Sequence, residues 1–179
     1  MEDNKLEDTY ESKSFITRNY FRAKVWLAIR MANLKKKDVI LDFGCGGGWL
    51  EKKLKGYEIY GYDINSKKTF IKDYKKIKPT KIFVLDVFEH ILEKEMQIII
   101  NNLKNLNKEF DLIVSVPTEN WISRKMRKLV GKPETPEEHI TSHKTIFEVL
   151  KKNFGLKKKI NFLTVSRIFV FKNYQLQSN

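Results

Sequence analysis

Val39-Ile-Leu-Asp-Phe-Gly-Cys-Gly-Gly-Gly-Trp-Leu50 reads as a strand running into a glycine loop of the form acidic-x-Gly-x-Gly-x-Gly, with Asp42, Gly44, Gly46 and Gly48 supplying the pattern. Glycines let a main chain turn sharply and come close to a ligand because no Cβ stands in the way. The next apolar run, Tyr57-Glu-Ile-Tyr-Gly-Tyr-Asp63, ends on an acid. A carboxylate at a neighbouring strand end can accept from both hydroxyls of a ribose, and such charge-assisted bonds are stronger than neutral ones. Loop and acid together make a nucleoside site.

These residues carry a resemblance. Asp42 to Gly48 resembles the first motif of the class I S-adenosylmethionine (SAM) dependent methyltransferases, and Asp63 resembles their ribose-binding acid. The competing dinucleotide fingerprint Gly-x-Gly-x-x-Gly expects a third glycine for close helix packing. Trp49 stands at that position. Asp42 would also repel a pyrophosphate, whereas it suits the cationic amino end of SAM, so SAM ranks above a nicotinamide dinucleotide. The resemblance implies that Asp42, Gly44, Cys45, Gly46, Gly48 and Asp63 contact the cofactor, with Ile64 packed on adenine and Leu85 and Asp86 lining it from a later strand.

The 179 residues fit one domain, 1–179, with a substantial core. No apolar run approaches the ~20 residues of a membrane span, and the start Met1-Glu-Asp-Asn-Lys lacks the regions of a secretory signal. A soluble, cytoplasmic protein is expected. The one cysteine, Cys45, excludes an internal disulfide and a Cys-rich metal cluster. As a small side chain tolerated in a crowded turn it fits better than as a nucleophile. The formal charge of +13 invites RNA, yet only six of the 35 basic residues are Arg and the lysines are spread along the chain. A small-molecule or lipid-like acceptor therefore ranks above RNA, which stays open.

The order of elements predicts an α/β fold, Rossmann-like and doubly wound, with a mostly parallel sheet and an antiparallel C-terminal hairpin. A helix over 12–33, with Phe15, Tyr20, Phe21, Val25, Trp26, Ile29 and Met31 as its apolar stripe, precedes the fold and caps the sheet or covers the ligand. Strands are expected over 39–43, 58–62, 81–86 and 110–116, and a hairpin over 158–163 and 167–171. Helices are expected over 49–55, from Ser66 to Pro79, over 92–106, and after Ser142. Lys81-Ile-Phe-Val-Leu-Asp86 is a continuous apolar run, as in a strand buried on both faces of a parallel sheet. The family fits a further strand between Asp63 and Lys81, and here there is room for little beyond the helix, so the third strand is expected to be missing or degenerate. An alternative makes 81–86 that third strand, but Val84-Leu-Asp-Val-Phe-Glu-His-Ile91 resembles the segment after the family's fourth.

Methyl transfer from SAM is an in-line displacement at a carbon already activated by a sulfonium, so the protein's work is to orient the acceptor and to remove a proton where the nucleophile carries one. His90, just past a strand's C-terminal end where ligands of open α/β sheets collect, is the candidate general base. Its alternative is a helix-orienting role. Glu89, Trp121 and His139 are the candidate substrate contacts, and 117–143 is the candidate substrate-covering insertion. His139 and His143 stand four apart beside Glu137 and Glu138, but a helix start at Ser142 separates them, so no metal is expected. Neither Leu85-Asp-Val-Phe88 nor Ser115-Val-Pro-Thr-Glu-Asn120 matches the Asn/Asp-Pro-Pro-Tyr segment of enzymes acting on nucleobase amines. The expected function is a SAM-dependent methyltransferase acting on a small-molecule or lipid-like acceptor. An RNA methyltransferase and a non-catalytic module that binds SAM or a partner are the alternatives.

Overall fold

The computed structural model describes residues 15–118 and 139–174. Six strands form one sheet in the order β2-β1-β3-β4-β6-β5: β1 (Val39–Phe43), β2 (Glu58–Tyr62), β3 (Lys81–Leu85), β4 (Glu109–Pro117), β5 (Gly155–Phe162) and β6 (Ser166–Tyr174). The pairs β1·β2, β1·β3 and β3·β4 are parallel, and β6 runs antiparallel to both β4 and β5. Helices α1 (Phe15–Ala32) and α2 (Trp49–Lys53) pack on one face, and α3 (Glu93–Lys104) and α4 (His143–Asn153) on the other. Ile82, Phe83 and Val84 are fully buried between the two layers, as a continuous apolar run requires.

β3 lies between β1 and β4, inside the sheet. No strand occurs between Tyr62 and Lys81. The helix expected from Ser66 is not formed either. That stretch holds turns and one short 3-10 turn, Tyr74–Lys76, capped by the Asp73 side chain. The reason is tertiary: the amides of Phe70 and Ile71 both donate to the Gly61 carbonyl on the outer side of β2, at 2.9 and 3.2 Å. Without a third strand the edge of β2 takes its hydrogen bonds from this segment, and helical turns there would withdraw those amides.

The buried stripe of α1 is also rotated from its expected place. Lys24, Val25, Ala28 and Ala32 face the sheet, while Trp26 is 58% exposed. The displacement follows from Lys24, a cation in a core position, which makes an ion pair with Asp86 and lies 4.4 Å from the ring centre of Phe21. Such a position reads as polar to any periodicity count.

At the other end of the sheet β5 is the edge strand among the described residues, and it carries the exposed lysines Lys157, Lys158 and Lys159, a common protection against edge-to-edge pairing. Lys157 from that edge and Lys81 from β3 both donate to Asp111, at 2.9 and 2.7 Å. Burial pushes the Asp111 carboxyl up, and the two lysines outweigh it, so the group sits below the usual carboxylate range. A depressed folded-state pKa gives stability that is present above the unfolded value of about 3.9 and lost as pH falls through the folded one. The stability gap between wild type and Asp111→Asn, measured by urea unfolding across pH 2–7, is therefore expected to close in acid; a gap that widens there would exclude this linkage.

Candidate functional site

The glycine loop is bound to the end of β2 by its own main chain. The amides of Gly44 and Cys45 donate to the Tyr62 carbonyl at 2.7 and 3.1 Å, and the Gly48 amide closes the turn on the Cys45 carbonyl at 2.9 Å. Gly44, Gly46 and Gly48 all have positive φ, and a Cβ at Gly44 would collide with the Val87 side chain. The loop therefore touches the segment after β3, and glycine is the residue that permits it. A Cβ at Gly46 would meet nothing, so this part of the loop faces open space.

Asp63 completes the bridge. Its carboxylate accepts from the Gly46 amide and from the Asn65 amide, both at 2.9 Å. The acid at the end of β2 and the glycine loop after β1 are thus one unit, with Ile64, 94% exposed, beside it. A large apolar side chain held in the open next to a loop of bare backbone suits the flat face of a base.

Behind the loop stands a group of acids. Asp42 is buried, and that burial, with Glu51 and Asp63 nearby, holds its carboxyl well above the ordinary range. Burial also raises the Glu51 carboxyl, and both Glu51 oxygens lack a hydrogen-bond partner from another described residue. The Glu51 carboxylate fills the space that a side chain on Gly61 would take. Sequence reasoning missed Glu51; the signal was Gly61, a glycine inside a strand, which marks a close approach by another group. Buried acids short of partners favour a ligand that brings positive charge. Cys45 is buried with its thiol against the Lys68 carbonyl, 3.6 Å away, and burial followed by Asp42, Glu51 and Asp63 pushes its pKa up. A thiol of that kind is a poor nucleophile.

The strand that the sequence placed along the cofactor ends in a different arrangement. Leu85 is partly buried against the α1 side of the core. Asp86 has φ +56, and its carboxylate is held by Lys24 and by the Ser115 hydroxyl, the latter at 2.9 Å. Its contribution to a ligand would be its position and main chain rather than its charge. Tyr20 of α1 bonds Ser166 at 2.5 Å, so the helix is tied to β6 as well as to Asp86.

His90 lies in a 3-10 turn, Phe88–His90, directly after β3. The chain returns to it at residue 139: the Ile140 and Thr141 amides donate to the Glu89 carbonyl at 2.7 and 3.2 Å, and the Thr141 hydroxyl donates to the Ile91 carbonyl at 2.6 Å. This brings the His90 and His139 rings together edge to face, with centroids 5.1 Å apart. Glu89, His90 and His139, read separately as candidate contacts, thus meet at one place. Trp121, Glu137 and Glu138, and most of the insertion expected over 117–143, lie outside the described residues.

A family model described as a methyltransferase domain matches residues 17–158, more than half of the chain. Among curated proteins the sequence has no match. Among solved structures the chain is similar to a protein of Pyrococcus horikoshii OT3, with TM-score 0.69 and 15% identity over 98% of this chain and 99% of that one. It is also similar to magnesium protoporphyrin IX methyltransferase from Synechocystis PCC 6803, solved with bound SAH, with TM-score 0.62 and 21% identity over 89% and 88% of the two chains. A third likeness is to the small RNA methyltransferase HEN1, with TM-score 0.63 and 18% identity over 85% of this chain and 25% of that one. At these identities the likenesses establish a common fold.

Proposed function

The chain belongs to the methyltransferase-domain family, and on that basis we propose that it is a SAM-dependent methyltransferase acting on a small-molecule or lipid-like acceptor. The observation that carries this reading is the Asp63 carboxylate resting on the Gly46 amide, with exposed Ile64 alongside and the acids Asp42 and Glu51 behind. These residues fit the cofactor on three counts: hydroxyl recognition, an apolar face for adenine, and buried acids whose ionised form a cationic amino acid end would stabilise. In this reading Asp63 holds the ribose, the main chain of Gly44 to Gly48 cradles the methionine end, Asp42 attracts its ammonium, and Leu85 and Asp86 border it from β3.

When bound, the cofactor supplies a methyl group on a sulfonium, already activated for displacement. The residues of this chain then have two tasks. One is to hold the acceptor in line, which can supply several kcal/mol of the barrier reduction through orientation alone. The other falls to Glu89, His90 and His139, which border the acceptor side and assist loss of its proton where it has one. Val87, packed against Gly44, keeps that turn beside the cofactor loop.

RNA is the second acceptor class, supported by the charge of +13 and by the likeness to a small RNA methyltransferase. The test is incubation with methyl-labelled SAM and cell extract fractionated into RNA, lipid and metabolite pools. Label is expected in the lipid or metabolite pool. Label confined to RNA would move the assignment to the second class, and no label in any pool despite cofactor binding would leave a non-catalytic module.

A further inference from the structure

Glu89, His90 and His139 offer one ligand atom each, all within 4.8 Å of one another. We propose that they form a divalent-cation site that binds and activates an acceptor hydroxyl; the inference rests on the methyl-transfer reading and deepens it. Ligand atoms each about 2.1 Å from one ion lie at most about 4.2 Å apart, so small side-chain rotations close the set. Two imidazoles and one carboxylate suit borderline divalent ions such as Zn²⁺, Mn²⁺, Co²⁺ or Fe²⁺.

The arrangement is more than a chance meeting of surface groups. Glu89 is 2% exposed, and both rings are half-buried. The two halves of the site come from segments about fifty residues apart, locked by the Ile140 and Thr141 amides on the Glu89 carbonyl and the Thr141 hydroxyl on the Ile91 carbonyl. His143, the partner for His139 that sequence spacing suggested, is not among the converging donors. It begins α4, one residue past the Ser142 cap, and the chain turns between the two histidines.

Position gives the site its use. It follows β3 directly, and Val87 alone separates Asp86 from the turn while packing on Gly44 of the cofactor loop. Three protein ligands leave coordination positions for an acceptor oxygen, and a bound cation lowers the pKa of that oxygen. The acceptor hydroxyl then loses its proton to solvent. Its oxygen lone pair forms the new bond to the methyl carbon, and the pair of the breaking carbon–sulfur bond returns to sulfur. Neutral alcohol and sulfonium become methyl ether, thioether and one released proton, so charge and atoms balance. The acceptor class becomes an alcohol, enol or phenol rather than an amine.

The experiment is a Co²⁺ titration of tag-free, chelator-treated full-length protein, followed by visible absorption, with SAM binding measured by calorimetry on the same sample. One equivalent of Co²⁺ is expected to bind, with bands of nitrogen and oxygen coordination. Loss of a residue behind a ligand commonly costs roughly 10–100-fold in metal affinity, and His90→Ala, His139→Ala and Glu89→Gln, each a direct ligand, are expected to cost at least that. His143→Ala is expected to leave the titration unchanged. No saturable Co²⁺ binding by the wild type overturns the proposal, as does wild-type affinity in a His90→Ala/His139→Ala double variant. SAM binding that persists without Co²⁺ binding overturns this site alone, whereas loss of SAM binding overturns the reading beneath it. Should a variant fail to fold by circular dichroism, the wild-type titration and Glu89→Gln, which preserves shape, decide.

Discussion

Lys24→Met is expected to destabilise the protein by about 3 kcal/mol, near the low end of what removing one partner of a buried ion pair costs. The substitution leaves apolar bulk in place, so the loss is electrostatic: the Asp86 carboxylate loses its ion-pair partner and retains the bond from the Ser115 hydroxyl. Asp86→Asn should be destabilising too, because it strands a cation that is 2% exposed inside α1. Asn tolerates the left-handed backbone found at Asp86, φ +56, so that variant does not add strain. The double variant Lys24→Met/Asp86→Asn is expected to regain most of the loss, since neither charge remains unpaired. Urea unfolding of the four proteins closes a double-mutant cycle. Additive losses would show that the pair does not hold α1 to β3.

Asp63→Ala is expected to weaken SAM binding by roughly 1.5–3 kcal/mol, about 10- to 150-fold in Kd. Two bonds underlie this. The carboxylate is placed for the ribose, and it also anchors the Gly46 amide at 2.9 Å, so its loss loosens the loop that would hold the other end of the ligand. Asp63→Asn keeps one carbonyl oxygen for the Gly46 amide and should fall between wild type and alanine. Calorimetry on the three proteins measures the order. Equal affinities would remove Asp63 from the site while leaving the fold untouched.

Much of the scaffold was legible because its determinants are local. The bounds of β1 and β2 coincide with the apolar runs that end at Phe43 and Tyr62, and the Ser142 cap was readable from one side chain, which accepts from the Thr145 amide at 3.2 Å. The missing third strand could be inferred from chain length alone. What failed depended on contacts between distant residues. The helix from Ser66 lost to the hydrogen-bonding demand of the β2 edge, and Lys24 took a core position that only its pairing with Asp86 makes tolerable.

The site divides along the same line. Gly46 of the glycine loop and Asp63 lie 17 residues apart and carry a strong pattern, so they were found together. Glu51 was hidden because nothing in a Trp-Leu-Glu-Lys-Lys helix distinguishes a buried acid from an exposed one; its burial comes from the absent side chain of Gly61 across the layer. His90 and His139 were each singled out, yet their meeting with Glu89 depends on a chain return that no spacing rule encodes.

Methyl transfer by this chain requires that the glycine loop and Asp63 hold SAM. Calorimetric titration of the full-length protein with SAM measures this directly. Saturable one-to-one binding that Asp63→Ala weakens is expected. No heat of binding and no shift in melting temperature with either SAM or SAH, at concentrations up to about a millimolar, the upper range of enzyme KM values, would rule out a cofactor site there.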